Sequence, residues 1–364
     1  MEKIKNNFYY ISETNIPSKS ANSIHVAKMV DASGNFGYNS HLIVPFCDSR
    51  SKYKKFYNVR NKIRIISIFK KKTQLNFFIR LIFSFKILFF LRSKKNKNII
   101  SRSVIASLIL SICNINNVLE IHHKLKGLTG LLFNIFKKIN FNKYLKIILI
   151  HGNLKKILNL KDKNVLILDD AVSLEDFKLN KKIKKKKNSI IYIGSFFKGK
   201  GLETIYSIAK YMPDVAFDLY GDSNVINKSK FKIRNLNFLG HIKYNMIPKV
   251  LAKYDYAIMP YGGNISVRSS NLDVSKTMSP LKMFDYLASK KIIFASDLDV
   301  YKHILKNNYN SILIKNNSIN NWVKTIKKTK NNKILKQKIK RNAFITAKKY
   351  TWNSRFKLIK NILF

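Results

Sequence analysis

The sequence predicts an α/β protein built on two doubly wound parallel sheets. Strand-like apolar runs alternate with amphipathic helix-like runs along most of the 364 residues, and this alternation starts afresh after the charged segment 178–188. With 46% hydrophobic residues, the chain is long enough and apolar enough to fill two cores of ordinary size. We therefore expect two α/β domains joined by that charged segment, which reads as a solvated linker.

The first series of elements opens with a strand at residues 8–11, the loop PSKSANSIH and a helix at about 21–32. HLIVPF predicts a second strand. The segments KNIISRSVIASLIL, NVLEIHH and LKIILIHGNLKKIL then continue the alternation of strand and helix. This order predicts a parallel sheet whose strands are connected by helices.

The most apolar run is NFFIRLIFSFKILFFL, residues 76–91, which Arg80 and Lys86 make too short to span a bilayer. At 100° per residue a helix here has a polar face with Asn76, Arg80 and Ser84. The apolar face carries Phe78, Leu81, Ile82, Phe85 and Phe89. Our preferred interpretation packs this apolar face on the first sheet. The alternative is peripheral contact with an anionic membrane, aided by Lys70, Lys71, Lys72, Arg92, Lys94 and Lys95.

The chain is strongly basic, with 70 Lys and Arg against 19 acidic residues and a net charge of +51. This charge favours acidic partners, although a coding bias toward Lys, Asn and Ile is the preferred explanation because the basic residues are spread along the chain. Cys47 and Cys113 lie far apart without a C-x-x-C pattern, which argues against a disulfide framework and a zinc site. No signal-peptide core precedes the first strand, so we expect a cytoplasmic protein.

The second series runs through SIIYIGS, the helix GLETIYSIAKYM, VAFDLYG, LNFLGHI, a helix near 248–253 and YAIMPY. Its first turn, GSFFKGKG, joins a strand to a helix. Gly194, Gly199 and Gly201 allow the backbone to approach a pyrophosphate, and Lys200 supplies a countercharge. The turn has neither the dinucleotide G-x-G-x-x-G nor the Walker A pattern, so it is a weak signal by itself.

The stretch KTMSPLKMFDYLASKKIIFASDL predicts a loop, a short helix and a buried strand in succession. Ser279 is expected as the N-cap and Pro280 as the first helical residue. The amides at this helix start, including those of Leu281 and Lys282, form a phosphate site. Asp285 lies about one and a half turns farther on, where its carboxylate can accept hydrogen bonds from sugar hydroxyls. The alternative is a plain capped helix with Asp285 in solvent.

The segment SPLKMFDYLASKKIIFASDL is similar to the nucleotide-binding segment of retaining GT-B glycosyltransferases of the group 1 or family 4 type, which usually have Glu where Asp285 stands. GSFFKGKG resembles the family's G-x-x-x-x-x-K-G turn, in which the lysine binds the donor's phosphates. Ser195 stands where many members have an arginine, which leaves one phosphate cation unaccounted for. IPSKSANSIHVAKMV, VLEIHH, VLILDDAVSLEDF and YTWNSRF resemble further family segments in the same order.

The resemblance implies the GT-B fold, two Rossmann-like domains facing across a cleft. Residues 1–178 form the acceptor domain, 179–345 the nucleotide-sugar donor domain, and 346–364 a helix that returns to the first domain. The implied reaction transfers a sugar from a nucleotide-sugar donor to a glycan or lipid-linked acceptor with retention of configuration. Synthesis of cell-surface polysaccharide or lipopolysaccharide is the implied setting. We expect no nucleic acid partner.

The resemblance also assigns roles to individual residues. Lys200, Asp285 and His122 are the implied catalytic residues, with Lys200 and the amides at the helix start stabilising the departing diphosphate. The donor-binding set comprises Gly194, Ser195, Gly199, Lys200, Gly201, Ser279, Pro280, Leu281, Lys282 and Asp285. The acceptor-side set comprises Ser23, His25, Glu120 and His122, and the turn 169–172 is placed beside it.

Asp297-Leu298-Asp299 spells the D-x-D with which GT-A glycosyltransferases hold a divalent metal. We interpret it as accidental because it lies late in a chain with two Rossmann-like series, and we expect neither a metal nor another cofactor. Two alternatives of other classes stay open. One is a sugar-nucleotide epimerase on the same fold, and the other is a non-enzymatic basic protein that binds nucleic acid, although the aromatic-basic interleaving of a stacking platform is missing from the sequence.

Overall fold

The computed structural model describes residues 6–138, 143–161, 165–179, 183–222, 224, 226–266, 273–315 and 318–363. The chain divides into two compact units. The first unit comprises Met1–Asp170 and Trp352–Phe364, and the second comprises Ala171–Thr351.

The units divide at Asp170 and Thr351, and not near 178 and 345 as the sequence predicted. Val172 already belongs to the second unit, because it pairs with Thr351 in a parallel bridge and its N–H donates to the Tyr350 carbonyl at 3.0 Å. The predicted linker is not simply solvated either. The N–H of Lys186 donates to the carbonyl of Lys253 at 2.8 Å, which ties this charged segment to the second unit.

The first unit contains a parallel sheet in which the described strands follow the order β3-β2-β1-β4-β5-β6-β7. The strands are β1 Asn7–Ile11, β2 Asn39–Val44, β3 Ile63–Ser67, β4 Lys97–Ser101, β5 Asn117–Ile121, β6 Leu145–Leu149 and β7 Val165–Ile167. The helices between them are α1 Ala21–Gly34, α2 Arg50–Tyr57, α3 Phe77–Arg92, α4 Val104–Ile112, α5 Gly127–Lys138 and α6 Asn153–Leu158. The strand order reverses between β1 and β4, as in a doubly wound sheet.

Helix α3 faces the core with a different side from the one predicted. Phe83, Ile87 and Leu91 are buried in a cluster with residues of the central strands. Phe78, Ile82, Phe85 and Phe89, the side predicted to pack on the sheet, are exposed. The prediction failed because apolar residues occur all around α3, so the sequence alone does not identify the buried side. In the described part of the chain, no helix combines the length and apolar character that crossing a bilayer requires.

The second unit contains another parallel sheet, with the described strands in the order β10-β9-β8-β11-β12-β13. The strands are β8 Ser189–Ile193, β9 Ala216–Tyr220, β10 Leu236–Phe238, β11 Tyr256–Met259, β12 Ile292–Ser296 and β13 Ile312–Ile314. The helices are α7 Leu202–Lys210, α8 Ile247–Leu251, α9 Leu281–Ala288, α10 Ile319–Asn331 and α11 Lys333–Lys349. Here the strand order reverses between β8 and β11, and the crevice outside the carboxyl ends of these two strands is where such sheets bind ligands.

The last helix, α12 Trp352–Leu363, packs on α1 and so belongs to the first unit. Its Phe356 is fully buried, with its ring centroid 5.1 Å from that of Phe8, 5.3 Å from that of Phe36 and 5.6 Å from that of Tyr38. These aromatic contacts fix the end of the chain on the first sheet. The predicted return of the C-terminal helix to the first domain is confirmed.

Candidate functional site

The turn between β8 and α7 has the backbone that its glycines predict. Gly201 caps α7 with a positive φ of 90°, and a Cβ there would strike the carbonyl of Pro260. Gly194 follows β8 directly and has a φ of 151°. A Cβ on Gly194 would occupy the space of the Lys282 ammonium group, so glycine at this position is what allows that side chain to enter. Ser195, where the resemblance leads one to expect arginine, accepts a hydrogen bond from the Tyr192 hydroxyl through its carbonyl at 2.7 Å.

Two lysine side chains meet beside this turn over a pair of tyrosine rings. The Nζ atoms of Lys200 and Lys282 each lie 5.3 Å from the ring centroid of Tyr261. Lys282 Nζ lies also 3.8 Å from the ring centroid of Tyr192. All three distances are within the range of cation–π contacts, which hold an ammonium group without neutralising its charge. The two cations therefore converge at the carboxyl edge of the second sheet, where its strand order reverses.

The environment of these lysines suits an anionic ligand. Lys282 Nζ is buried and has no hydrogen-bond acceptor among the described residues. Burial lowers the pKa of Lys282 well below its usual value, and the charge of Lys200 lowers it further. Burial alone lowers the pKa of Lys200 to about 8. A bound diphosphate would reverse both shifts, because opposite charge favours the ammonium form.

Helix α9 begins one residue later than the sequence predicted. Pro280 is the N-cap, with an extended backbone at φ −76° and ψ 119°, and Leu281 is the first helical residue. Ser279 is therefore not the N-cap, and a proline N-cap has no side-chain oxygen with which to cap the helix. The first turn still carries Leu281 and Lys282 at the carboxyl edge of the sheet. The helix is tied to β8, because the Tyr286 hydroxyl accepts from the N–H of Ile193 at 2.8 Å.

Asp285 lies in the middle of α9 and is 7% exposed. The alternative that placed this carboxylate in solvent on the outer face of the helix is therefore wrong. Its carbonyl accepts from the Ser289 hydroxyl at 2.7 Å, a contact that closes the helix. The proposed contact of its carboxylate with ribose stays a prediction.

The acceptor-side candidates of the first unit form a buried network centred on Glu120. Its Oε1 lies 2.8 Å from His25 Nε2, 2.8 Å from His122 Nε2 and 2.8 Å from Arg355 Nη2. Its Oε2 accepts from the Tyr10 hydroxyl at 2.5 Å. Burial disfavours the ionised form of this carboxyl, but Arg355 and then His25 outweigh it and hold the pKa of Glu120 well below its usual value. Glu120 is therefore an anion that anchors α12 to the centre of the first unit.

His122 differs from the other candidates because 14% of its side chain is exposed. Burial and the charge of Arg102 lower its pKa well below the usual value for histidine, so the ring is neutral. Since the Glu120 carboxylate is an acceptor, Nε2 of His122 carries the hydrogen and Nδ1 is left as an unprotonated base. Ser23 is 1% exposed and donates to the carbonyls of Ser18 and Ser20, both at 2.8 Å. Ser23, His25 and Glu120 are therefore buried, while His122 is partly exposed.

Two groups of residues offer ligands for a metal. His25, His122 and Asp170 place ligand atoms within 4.8 Å of one another. His25 Nδ1 is hydrogen-bonded to Asp170 Oδ1 at 2.5 Å and His122 Nε2 to Glu120 Oε1 at 2.8 Å, while His25 Nε2 lies 2.8 Å from Glu120 Oε1 without hydrogen-bond geometry. In the D-x-D segment, Asp297 and Asp299 both contact Lys302 Nζ, at 3.1 and 2.9 Å. We interpret the first group as a hydrogen-bonded network and the second as an ion-pair cluster.

A cavity of about 1000 Å³ lies elsewhere in the second unit, at the β13 edge of the sheet. Its lining includes Asn308, Ile312, Lys324, Lys328 and Lys338. It does not include the two converging lysines, the turn after β8 or Asp285. We therefore place the candidate site at the switch point of the sheet and not in this cavity.

The position of the Lys282 side chain beside Lys200 was not predicted from the sequence, where Lys282 was assigned only through its backbone amide. Ser195 was the one indication in the sequence, because a serine in place of the arginine of related turns means that a phosphate ligand would need a cation from another residue. Lys282 lies far along the chain from Ser195, and local pattern does not show which distant lysine returns to the turn. The tyrosine rings of Tyr192 and Tyr261 were missed for the same reason.

Comparison with known sequences finds a family model that matches most of the second unit. Residues 175–346 match the family model described as glycosyl transferases group 1. A comparison of the whole sequence with curated proteins gives no match. The matched residues contain the lysine pair, the turn after β8 and all of α9.

Solved structures resemble the chain over nearly its whole length. A glycosyltransferase from Rickettsia africae ESF-5 has a TM-score of 0.76 and 12% identity, over 99% of this chain and 98% of that one. Anabaena Alr3699/HepE, solved with UDP and glucose, has a TM-score of 0.70 and 11% identity, over 98% and 100%. WaaG, a glycosyltransferase involved in lipopolysaccharide biosynthesis, has a TM-score of 0.65 and 11% identity, over 98% and 99%.

At such low identity these likenesses establish the fold, and they confirm the predicted architecture of two parallel sheets with a returning C-terminal helix. The family match adds sequence evidence for the unit that holds the two lysines. Residues 175–346 thus match the glycosyl transferases group 1 family, within a chain that has the GT-B fold of solved glycosyltransferases.

Proposed function

We propose that this protein is a glycosyltransferase that moves a sugar from a nucleotide-sugar donor to a glycan or lipid-linked acceptor. The observation that carries the proposal is the convergence of Lys200 and Lys282 over Tyr261 at the switch point of the second sheet. Two desolvated cations with no anionic partner among the described residues favour a ligand with two adjacent negative groups, which a diphosphate has. The match of residues 175–346 to the glycosyl transferases group 1 model and the UDP complexes of HepE support the same ligand class.

The lysine pair suits the departure of a nucleoside diphosphate. When the bond between the anomeric carbon and the diphosphate oxygen breaks, negative charge grows on that oxygen. Lys200, Lys282 and the first-turn amides of α9 are fixed in advance where this charge develops, which is how preorganised electrostatics lowers a barrier. The leaving group then needs no protonation. In this proposal the two lysines stabilise the negative charge of the diphosphate, as a divalent metal does in other transferases, and the protein needs no metal.

Asp285 and His122 complete the proposed assignment. We assign to the Asp285 carboxylate the ribose hydroxyls of the donor, as the resemblance implies. His122 is the candidate on the acceptor side, because its partly exposed ring is held in a fixed orientation by Glu120. Retention of configuration and a role in cell-surface polysaccharide or lipopolysaccharide synthesis rest on the resemblance, and WaaG offers a parallel in fold.

A screen of UDP-, GDP-, ADP- and dTDP-sugars by ligand-observed NMR tests the donor class. We expect at least one to bind in the absence of added metal, and we expect the same signal in EDTA. Failure of all four, with the protein shown to be folded, would overturn the proposed donor. Loss of the signal on chelation would instead restore the D-x-D interpretation.

A second experiment separates a transferase from a sugar-nucleotide epimerase on the same fold. The donor identified in the screen is incubated with and without candidate glycan and glycolipid acceptors, and release of nucleoside diphosphate is followed. Release that requires an acceptor supports transfer, whereas conversion of the donor to an epimer without acceptor supports the alternative. The anomeric coupling constant of the isolated product then shows whether configuration is retained.

A further inference from the structure

A stripe of apolar side chains is exposed along α3. The stripe consists of Phe78, Ile82, Phe85 and Phe89, which are 74%, 49%, 47% and 68% exposed. Spacings of four, three and four residues place them on one side of the helix. The opposite side of α3 is held in the core by Phe83, Ile87 and Leu91. The helix is therefore anchored without the stripe, and the stripe is available to contact something else.

A second row of exposed apolar residues lies on α5. Leu128, Leu131 and Ile135 are 56%, 56% and 45% exposed, while Phe133 on the other side of the helix is fully buried. Helix α4 packs against both α3 and α5. The connections from β3 to β4, β4 to β5 and β5 to β6 all run in one direction across the sheet, so these three helices cover the same face of it. The stripe on α3 and the row on α5 are together called the apolar face here.

The sequence segment that carries the apolar face is almost entirely basic, although Glu13, from outside this segment, lies 3.2 Å from Arg80 of α3. Between residues 49 and 161 the sequence has 26 Lys and Arg and one acidic residue, Glu120, which is 2% exposed. The second unit contains 11 of the 19 acidic residues of the chain. Coding bias raises lysine along the whole chain, but it does not account for this local lack of Asp and Glu. Exposed basic residues flank α3 at both ends, namely Lys70, Lys71, Lys72, Arg92 and Lys95.

We propose that the apolar face binds the surface of an anionic lipid bilayer. The α3 stripe would insert at the boundary between headgroups and acyl chains, and the flanking basic side chains would contact lipid phosphates. A second copy of this chain is a poorer partner, because its own apolar face is surrounded by the same positive charge. Nucleic acid is also a poorer partner, because its phosphates give four apolar side chains nothing to pack against.

Co-sedimentation of the full chain with vesicles tests this surface. We expect the protein to bind vesicles of phosphatidylcholine mixed with phosphatidylglycerol and to bind pure phosphatidylcholine much less, because the basic residues need anionic headgroups. Combined Phe85→Ser and Phe89→Ser should lower the partition coefficient by about tenfold or more, because two large apolar groups no longer leave water. Neither side chain belongs to the buried cluster of the first unit, so we expect the fold to be retained. Ile334→Ser is the matched control, since Ile334 is 81% exposed on α11 of the second unit.

Insertion of the stripe itself is tested with a Phe89→Trp variant. Trp322 and Trp352 are 0% and 3% exposed, so the natural fluorescence is insensitive to a surface event. We expect the added tryptophan to shift its emission to the blue on anionic vesicles and to be quenched by lipids with brominated acyl chains. Binding without any shift or quenching would show that charge alone holds the protein on the vesicle, and the proposed insertion would be wrong.

Three further results would overturn the proposal. They are absence of binding to anionic vesicles, equal binding by the parent and the double Ser variant, and a dimer in sedimentation velocity that the double Ser variant abolishes. The last would assign the apolar face to a second copy. Nucleotide-sugar binding by the double Ser variant should match that of the parent. The two proposals are therefore tested independently. Absence of vesicle binding would not affect the proposed donor site, and absence of nucleotide-sugar binding in the screen would not affect the proposed lipid-binding surface.

Discussion

The ammonium nitrogen of Lys282 lies 3.8 Å from the ring centroid of Tyr192, in the space that a side chain on Gly194 would fill. This contact brings a cation from α9 to the end of β8, where Ser195 lacks the charge that the resemblance leads one to expect. The proposed second phosphate cation thus comes from a distant part of the sequence. We infer that Lys282 and Lys200 together replace the arginine–lysine pair of the related turn.

The first prediction concerns the charge of Lys282. Lys282→Met keeps an unbranched apolar stem of similar length and removes the ammonium group, so nucleotide-sugar affinity should fall by about 10-fold to 100-fold, the value of a charge-assisted hydrogen bond of about 1.5–3 kcal/mol. Lys282→Arg should retain most of the affinity. Isothermal titration calorimetry measures both, with the exposed Lys249→Met on α8 as control. Parent-like affinity in Lys282→Met would remove this residue from the donor site.

The second prediction is that donor binding weakens as the pH rises through about 8. Burial lowers the pKa of Lys200 to about 8 in the free protein, and bound phosphates raise that pKa again by favouring the charged form. The complex then holds more protons than the free protein near pH 8, so binding takes up protons and loses affinity in more alkaline solution. Calorimetry in buffers of different ionisation enthalpy measures this uptake. A nucleotide-sugar is the appropriate ligand because its diphosphate does not titrate in this pH range. Binding without proton uptake would contradict the prediction.

The third prediction separates ribose recognition from diphosphate recognition. Asp285→Ala should weaken nucleotide binding by about 1.5–3 kcal/mol, the usual value of hydrogen bonds to a charged group. Lys200→Ala should weaken it comparably through the diphosphate, whereas Asp285→Glu should be tolerated because the related segment usually has Glu. With the matching nucleoside, which lacks phosphate, only Asp285→Ala should reduce binding. Nucleoside titrations of folded variants that show no effect of Asp285→Ala would refute the ribose assignment.

The fourth prediction concerns the anchoring of α12. Arg355 contacts Glu120 at 2.8 Å with both side chains buried. Arg355→Met leaves this buried carboxylate with its histidine and tyrosine contacts but without the guanidinium, and should cost about 3–5 kcal/mol of unfolding free energy in the first unit. Lys357→Met, an exposed change on the same helix, should cost much less. Urea denaturation in a Trp322→Phe background measures this, because Trp352 then reports on the first unit. Equal stability of the two variants would show that the Glu120 network does not hold α12 in place.

Much of the fold follows from local sequence pattern. Both parallel sheets and the strand-to-helix turn after β8 were predicted from apolar periodicity and from glycines at fixed places, whereas the return of α12 was implied by the family resemblance. The side of α3 that faces the core was predicted wrongly, since Phe83 and Phe85 are equally apolar and only the packing of neighbouring strands selects between them. The start of α9 was misplaced by one residue, because Ser-Pro fits two adjacent cap positions equally well.

The candidate site was only partly predictable, for a different reason. Lys200 and Gly194 share one turn, so sequence spacing brought them together. Lys282 joins them only after α9 folds against β8, and Arg355 reaches Glu120 from the other end of the chain. Such contacts depend on tertiary structure, and the residues next to Lys282 and Arg355 in the sequence do not indicate them.

The most direct test of the central claim is the affinity of the parent and of a Lys200→Met/Lys282→Met variant for the nucleotide-sugar identified by the screen. A Lys327→Met/Lys328→Met variant removes two exposed lysines from α10 of the same unit and controls for net charge. Since each lysine of the site contributes about 1.5–3 kcal/mol, the site variant should lose at least about 100-fold in affinity while the control binds like the parent. Equal binding by all three proteins would contradict the assignment of this lysine pair to the donor diphosphate.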